Sequence, residues 1–160
     1  MQSRGLKPPR CRVAEGMQAI RTDPLHAGFP LAPLRARRLE FGLDDLHDLR
    51  ALVAATATAS GLGPGRTEDL TVATSELAAN SILHGGGRGL ATVWGADGAV
   101  FAEVADAGTI TDPTVGQVRP GPAAESGRGL WIAAQLCDGL AIDSGPSGTR
   151  VRLRIDAGLA

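Results

Sequence analysis

Three residues in the middle of the chain carry side chains able to do chemistry, at a spacing that brings them together. Glu76, Asn80 and His84 recur every fourth position within the stretch Thr-Ser-Glu-Leu-Ala-Ala-Asn-Ser-Ile-Leu-His-Gly-Gly-Gly over 74–87. On an α-helix each step of four residues turns by about 40° and rises by about 6 Å, so a carboxylate, an amide and an imidazole form one polar stripe. Spacing alone leaves two readings open. The stripe is the solvated face of an ordinary amphipathic helix, or an acid and an amide oxygen one turn apart offer hard ligands to Mg2+ and a base beside a metal-bound phosphate.

The helix that must carry the stripe is legible around it. Thr67 reads as its N-cap, Glu68 and Asp69 fall in a first turn where the dipole favours acids, and three glycines follow His84. Leu70, Ala73, Leu77 and Ser81 form a small, apolar, core-facing stripe beside the polar one. Upstream, Gly63-Pro64-Gly65 reads as a turn. Before it, Asp44 and Asp45 cap a helix with Leu46, Leu49, Leu52 and Val53 at helical spacing, ending at Ser60-Gly61. Arg37, Leu39 and Phe41 alternate with Arg38 and Glu40, as on an edge strand.

Downstream, Leu90, Thr92 and Trp94 alternate with Ala91 and Val93, and Val100, Ala102 and Val104 with Phe101, Glu103 and Ala105, around Gly95-Ala-Asp97-Gly98. This predicts an antiparallel hairpin. The stretch 109–127, with Pro113, Pro120, Gly121 and Pro122, reads as a functional loop of lid type. A helix over 129–137 and a last hairpin, 140–143 with 149–155 around Ser144–Gly148, complete the chain. The order predicts an α+β fold: a two-layer α/β sandwich with a mixed, mostly antiparallel sheet and helices on one face.

Composition sets the outer bounds. At 160 residues, 43% hydrophobic and 21% charged, the chain has enough apolar surface for one globular domain. Its 16 basic and 17 acidic side chains argue against direct nucleic-acid binding or a polybasic membrane anchor. No apolar run long enough for a membrane span or a signal-peptide core is present, which predicts a cytoplasmic protein. Cys11 and Cys137 have no metal-ligand spacing, and Cys137 reads as a small buried hydrophobe. Residues 1–34 hold Pro8, Pro9, Pro24, Pro30 and Pro33 among scattered basic residues, and are expected to form a poorly ordered lead-in to a domain over 35–157.

Four pieces in this order resemble a known set of boxes. They are Glu76-Leu-Ala-Ala-Asn80-Ser-Ile-Leu-His84-Gly, Val104-Ala-Asp106-Ala-Gly108-Thr, Glu125-Ser-Gly127-Arg-Gly129-Leu130-Trp131-Ile-Ala and Ser147-Gly148-Thr149-Arg-Val151. Together they resemble the nucleotide-binding boxes of the ATPase superfamily shared by gyrase-type, Hsp90-type and histidine-kinase ATP-binding domains, with a Bergerat-type fold. Within it the chain is most similar to the bacterial anti-sigma-factor serine/threonine kinases, the switch-protein kinases, over roughly 36–155.

The resemblance implies ATP and Mg2+ as cofactors and assigns roles by position. Asn80 is the implied Mg2+ ligand, and Glu76 the group that orients or deprotonates an attacking hydroxyl. Asp106 is the implied acceptor for the adenine amino group, with Gly108 letting the backbone pass close to the base and Thr149 reaching the same aspartate and base. Gly127, Arg128, Gly129 and Leu130 open a helix whose N-terminus suits phosphate oxygens. His84 is either at the nucleotide edge or a helix-end cation facing the dipole. The implied partners are a sigma factor, a STAS-type anti-anti-sigma protein and a second copy of the chain. One departure stands out: many relatives continue the first glycine box to a second glycine, whereas Thr109 is followed here by Ile110.

Two other functions compete with the kinase. A non-catalytic regulator that binds ATP or only a partner is favoured by the altered glycine box. A sensor histidine kinase is suggested by Leu46-His47-Asp48-Leu49-Arg50, but Ala51-Leu52 stands where Thr-Pro is expected, and His47 reads as a solvated helix residue.

Overall fold

The computed structural model describes residues 12–13, 29–110 and 128–158. In chain order its elements are β1 (Arg12–Val13), β2 (Arg37–Phe41), α1 (Leu46–Ala59), α2 (Pro64–His84), β3 (Gly89–Ala96), β4 (Ala99–Asp106), α3 (Arg128–Leu136), β5 (Gly139–Gly145) and β6 (Gly148–Asp156). They form one sheet in the order β1-β5-β6-β4-β3-β2. All pairings are antiparallel except that of the two-residue β1 with β5. β2 sits at the edge, as its weak alternation predicts.

The three helices cover one face of the sheet, in the two-layer arrangement expected. Val93, Ala102 and Leu153 point from the sheet into a core completed by Leu49 and Val53 of α1, Leu70 and Leu77 of α2, and Ala133 of α3. Each fully buried Leu or Val contributes roughly 1.5–3 kcal/mol by leaving water. Cys137 is fully buried in the same core, where it was expected.

The opposite face carries a smaller apolar cluster. Trp94 stacks on Phe101 with ring centroids 5.5 Å apart, and Phe29 meets Phe101 edge-on at 6.3 Å. The central strands β3 and β4 are therefore covered on both sides, and Ala91, Thr92, Val93 and Trp94 are all buried in succession. Phe29 belongs to the Pro-rich lead-in; the rest of that lead-in up to residue 28, apart from β1, lies outside the described residues.

Helix α2 corrects one expectation. It starts at Pro64, with Gly63 as N-cap, so Thr67 is not the cap and Pro64-Gly65 is not a turn. The Thr67 N–H already donates to the Gly63 carbonyl at 2.9 Å. Proline fits the first helical position because its φ is pre-set and the N–H it lacks has no partner there in any case. Glu68 and Asp69 thus fall beyond the first turn, and Asp69 pairs with Arg66 at 3.1 Å. The stripe itself is as predicted: Leu70, Ala73, Leu77 and Ser81 are buried.

Both hairpins are tighter than the sequence suggests. Asp97 and Gly98 alone connect β3 to β4, both at positive φ (52° and 74°), the geometry of a type I′ turn. Only Pro146 and Ser147 connect β5 to β6, so Ser144 and Gly145 lie in the strand rather than in the turn. His47 is exposed on α1, as expected of a solvated position. No helix among the described residues is long and apolar enough to cross a membrane.

Candidate functional site

The C-terminal half of α2, the first turn of α3 and the adjoining ends of β4 and β6 converge on one region. Glu76 and Asn80 are half-buried on α2. Gly129, in the first turn of α3, approaches them so closely that a Cβ there would lie 3.1 Å from Glu76 Oε2 and 3.3 Å from both polar atoms of Asn80. The carboxylate, the amide and the start of a helix are thus neighbours across chain segments far apart in sequence. The first backbone N–H groups of α3 have no intrahelical acceptor, which makes that end attractive to anionic oxygens.

Arg128 is exposed beside this turn, and Leu130 is 4% exposed, its side chain packed into the core. Leu130 can therefore face a ligand only through its backbone. Gly127 lies outside the described residues. His84 is exposed in the last turn of α2. Its carbonyl oxygen, rather than its ring, abuts the second part of the site: a Cβ on Gly108 would fall 2.7 Å from it and 2.9 Å from Gly85 Cα.

That second part is organised by Asp106 at the end of β4. One carboxylate oxygen, Oδ1, accepts the Gly108 N–H at 2.8 Å, an Asx-type turn. The other, Oδ2, accepts the Ser81 hydroxyl at 2.7 Å. An ionised carboxylate has about four acceptor positions, so these bonds orient the group without exhausting it. Gly85 is needed beside it, since a Cβ there would collide with the Asp106 carboxylate.

Thr149 lies opposite Asp106 in the register of β4 and β6. Its hydroxyl reaches the loop after Asp106 rather than the carboxylate, donating to the Gly108 carbonyl at 2.8 Å. A hydroxyl has one proton, so in its 2.7 Å contact with Ser144 Oγ the serine must donate. Ser144 in turn accepts the Ile110 N–H at 2.7 Å. A directed chain therefore runs from Ile110 N–H through Ser144 and Thr149 to Gly108. It fixes both ends of the segment Gly108–Ile110, and Thr109 adds a bond from its hydroxyl to the Gly145 carbonyl at 3.3 Å.

Three participants escape a reading of the sequence alone. Ser81 looks like one more small residue on a core-facing stripe, Gly85 like a helix stop, and Ser144 like a turn residue. The only available signal for Ser81 is a hydroxyl at an apolar helix position next to Asn80. Among the described residues no group of three or more His, Cys, Asp or Glu could hold a metal. A cation here would depend on Asn80, with Glu76 nearby, and on oxygens brought by a ligand, which is how Mg2+ is commonly bound in phosphate sites. The loop expected over 109–127 is described only at Thr109 and Ile110.

Comparison with known proteins bears on the family and the fold. No curated protein matches the chain. Among solved structures, the RsbU and RsbW domains of Rv1364c from Mycobacterium tuberculosis share the fold, with a TM-score of 0.54 at 20% identity over 75% of this chain and 32% of that one. The present chain thus spans about a third of that structure. Residues 39–155 match the family described as the histidine kinase-like ATPase domain, a match covering all four boxes and every helix. The chain belongs to the histidine kinase-like ATPase domain family, a nucleotide-binding fold.

Proposed function

We propose that the chain is an ATP- and Mg2+-dependent serine/threonine protein kinase that acts on an anti-anti-sigma protein and restrains a sigma factor in the cytoplasm. The observation that carries the reading is the convergence of Glu76 and Asn80 on Gly129 at the start of α3. Asn80 would hold the cation, and the first N–H groups of α3, with Gly127 and Arg128, would hold phosphate oxygens. Asp106, with Gly108 and Thr149 around it, would accept the amino group of the base. The bound cation would neutralise charge on the phosphates. The protein supplies position: Glu76 accepts a hydrogen bond, or a proton, from the attacking hydroxyl of the partner. The likeness of the boxes to those of the anti-sigma kinases, and the fold shared with a chain containing an RsbW domain, support this assignment.

The experiment is incubation of the protein with ATP, Mg2+ and candidate anti-anti-sigma proteins encoded alongside it. An alkali-labile phosphoserine or phosphothreonine on the partner, absent with Glu76→Gln, is the expected result. Unmodified partner in the presence of demonstrable ATP binding would remove the kinase assignment.

A second reading has its own observation. Ile110, standing where many relatives have a glycine, packs against the core and is held through its N–H by Ser144. A site base fixed in this way suits a regulator that binds nucleotide and a partner without turning over. Survival of partner regulation in cells carrying Glu76→Ala would select that reading.

A further inference from the structure

We propose that Ser81 is a positioning residue for base recognition: its buried hydroxyl sets the orientation in which Asp106 offers its remaining acceptor positions to an amino group. The inference rests on the assignment of Asp106 as the base acceptor and extends it to a residue that the resemblance leaves without a role.

Ser81 is 1% exposed, so its hydroxyl must find an acceptor inside the protein. Two are in reach, the Leu77 carbonyl at 3.3 Å and Asp106 Oδ2 at 2.7 Å. A helical serine ordinarily returns its proton to the carbonyl four residues back, and Thr71, Thr74 and Ser75 on α2 do so at 2.7–2.8 Å. At Ser81 that bond is long and the one to Asp106 is short, so the single proton is committed to the carboxylate.

The consequence is geometric. Gly108 N–H holds Oδ1 from the loop side and Ser81 holds Oδ2 from the helix side. The carboxylate plane is thereby fixed between two donors on different elements. A carboxylate held in this way accepts from an exocyclic amino group and repels a carbonyl oxygen in the same place. Without Ser81 the group keeps one fixed donor and gains rotational freedom, because no other hydroxyl or amide is bonded to Oδ2 among the described residues.

The test compares ATP with inosine triphosphate, which carries an oxygen where adenine carries the amino group, by calorimetry on wild type, Ser81→Ala, Asp106→Asn and the double variant. The expected result has four parts. The wild type prefers ATP. Asp106→Asn loses most of that preference. Ser81→Ala weakens ATP about tenfold, in line with loss of a bond to a charged group, and leaves inosine triphosphate unchanged. The double variant binds ATP no more weakly than Asp106→Asn, since Ser81 acts through Asp106. Equal weakening of both nucleotides by Ser81→Ala, or an undiminished preference for ATP, overturns the proposal while leaving Asp106 in place. A preference for ATP that survives Asp106→Asn overturns the base-acceptor assignment itself. Should Ser81→Ala not fold, Ser81→Cys, of similar size but a weaker donor, is expected to narrow the preference, and a full wild-type preference in it overturns the proposal.

Discussion

Gly129 lies against Glu76 so closely that the smallest side chain would fall 3.1 Å from the carboxylate oxygen Oε2. The glycine is not needed for its own conformation, since it sits in helix α3 without positive φ. It is needed for the space it leaves.

Gly129→Ala should therefore separate stability from function. In a helix the change is favourable by about 1 kcal/mol, whereas the new methyl displaces Glu76 and Asn80 by a few tenths of an ångström. We expect a melting temperature equal to or above wild type, together with at least about a tenfold loss of the proposed phosphoryl transfer, because such transfer depends on position. Thermal denaturation and a transfer assay on the same preparation check both halves.

Glu76 and Asn80 should fail in different ways. Glu76→Gln keeps the shape and removes the carboxylate that the proposed mechanism uses as base, so on that proposal transfer should fall by about 10²–10⁴ while ATP affinity stays within about twofold of wild type. Asn80→Ala removes the amide oxygen and should abolish the part of ATP binding that depends on Mg2+. Calorimetry with and without Mg2+ distinguishes the two: equal behaviour of both variants would show that the residues act as one structural unit.

How much of this was legible in the sequence follows from what each residue needs. The polar stripe of α2 and the alternation in β2, β3 and β4 are local periodicities, and the helix and strands lie where the periods place them, although β3 and β4 are buried on both faces rather than alternately. Sequence places the cap of α2 four residues late because Thr67 offers a plausible cap, whereas Gly63 and Pro64 make an equally good one upstream. In the sequence Ser81 and Ser144 look like small filler and a turn residue because their partners, Asp106 and Ile110, are 25 and 34 residues away. Such pairings are fixed by strand order and helix packing, which no local pattern encodes. The convergence of Gly129 on Glu76 was accessible only through the resemblance of the boxes.

Gly148 should be intolerant of any side chain. It has φ of +124° at the end of the β5–β6 turn, and a Cβ there would collide with the Asp106 carbonyl oxygen. Both the strained backbone and the collision oppose Gly148→Ala, together by at least about 2 kcal/mol. Chemical denaturation should show that loss. Because relief of the collision moves Asp106, ATP affinity should fall in the fraction that remains folded.

Arg66 provides the opposite case, a residue that should matter for stability and not for the site. Its guanidinium bonds the Leu136 carbonyl at 3.1 Å, Asp69 at 3.1 Å and Asp138, tying the start of α2 to the end of α3. Asp138 also accepts the Asp156 N–H at 2.8 Å, so the same carboxylate anchors the last strand. Arg66 and Asp138 are each about a quarter exposed, which tempers the ion pair, and we expect Arg66→Ala to cost about 1–2 kcal/mol rather than the larger penalty of a fully buried pair. Fourteen residues of helix, roughly 21 Å, separate Arg66 from Asn80. ATP affinity measured well below the melting temperature should therefore be unchanged. A variant that lost affinity in proportion to its stability would show instead that the α2–α3 junction sets the distance between Gly129 and Glu76.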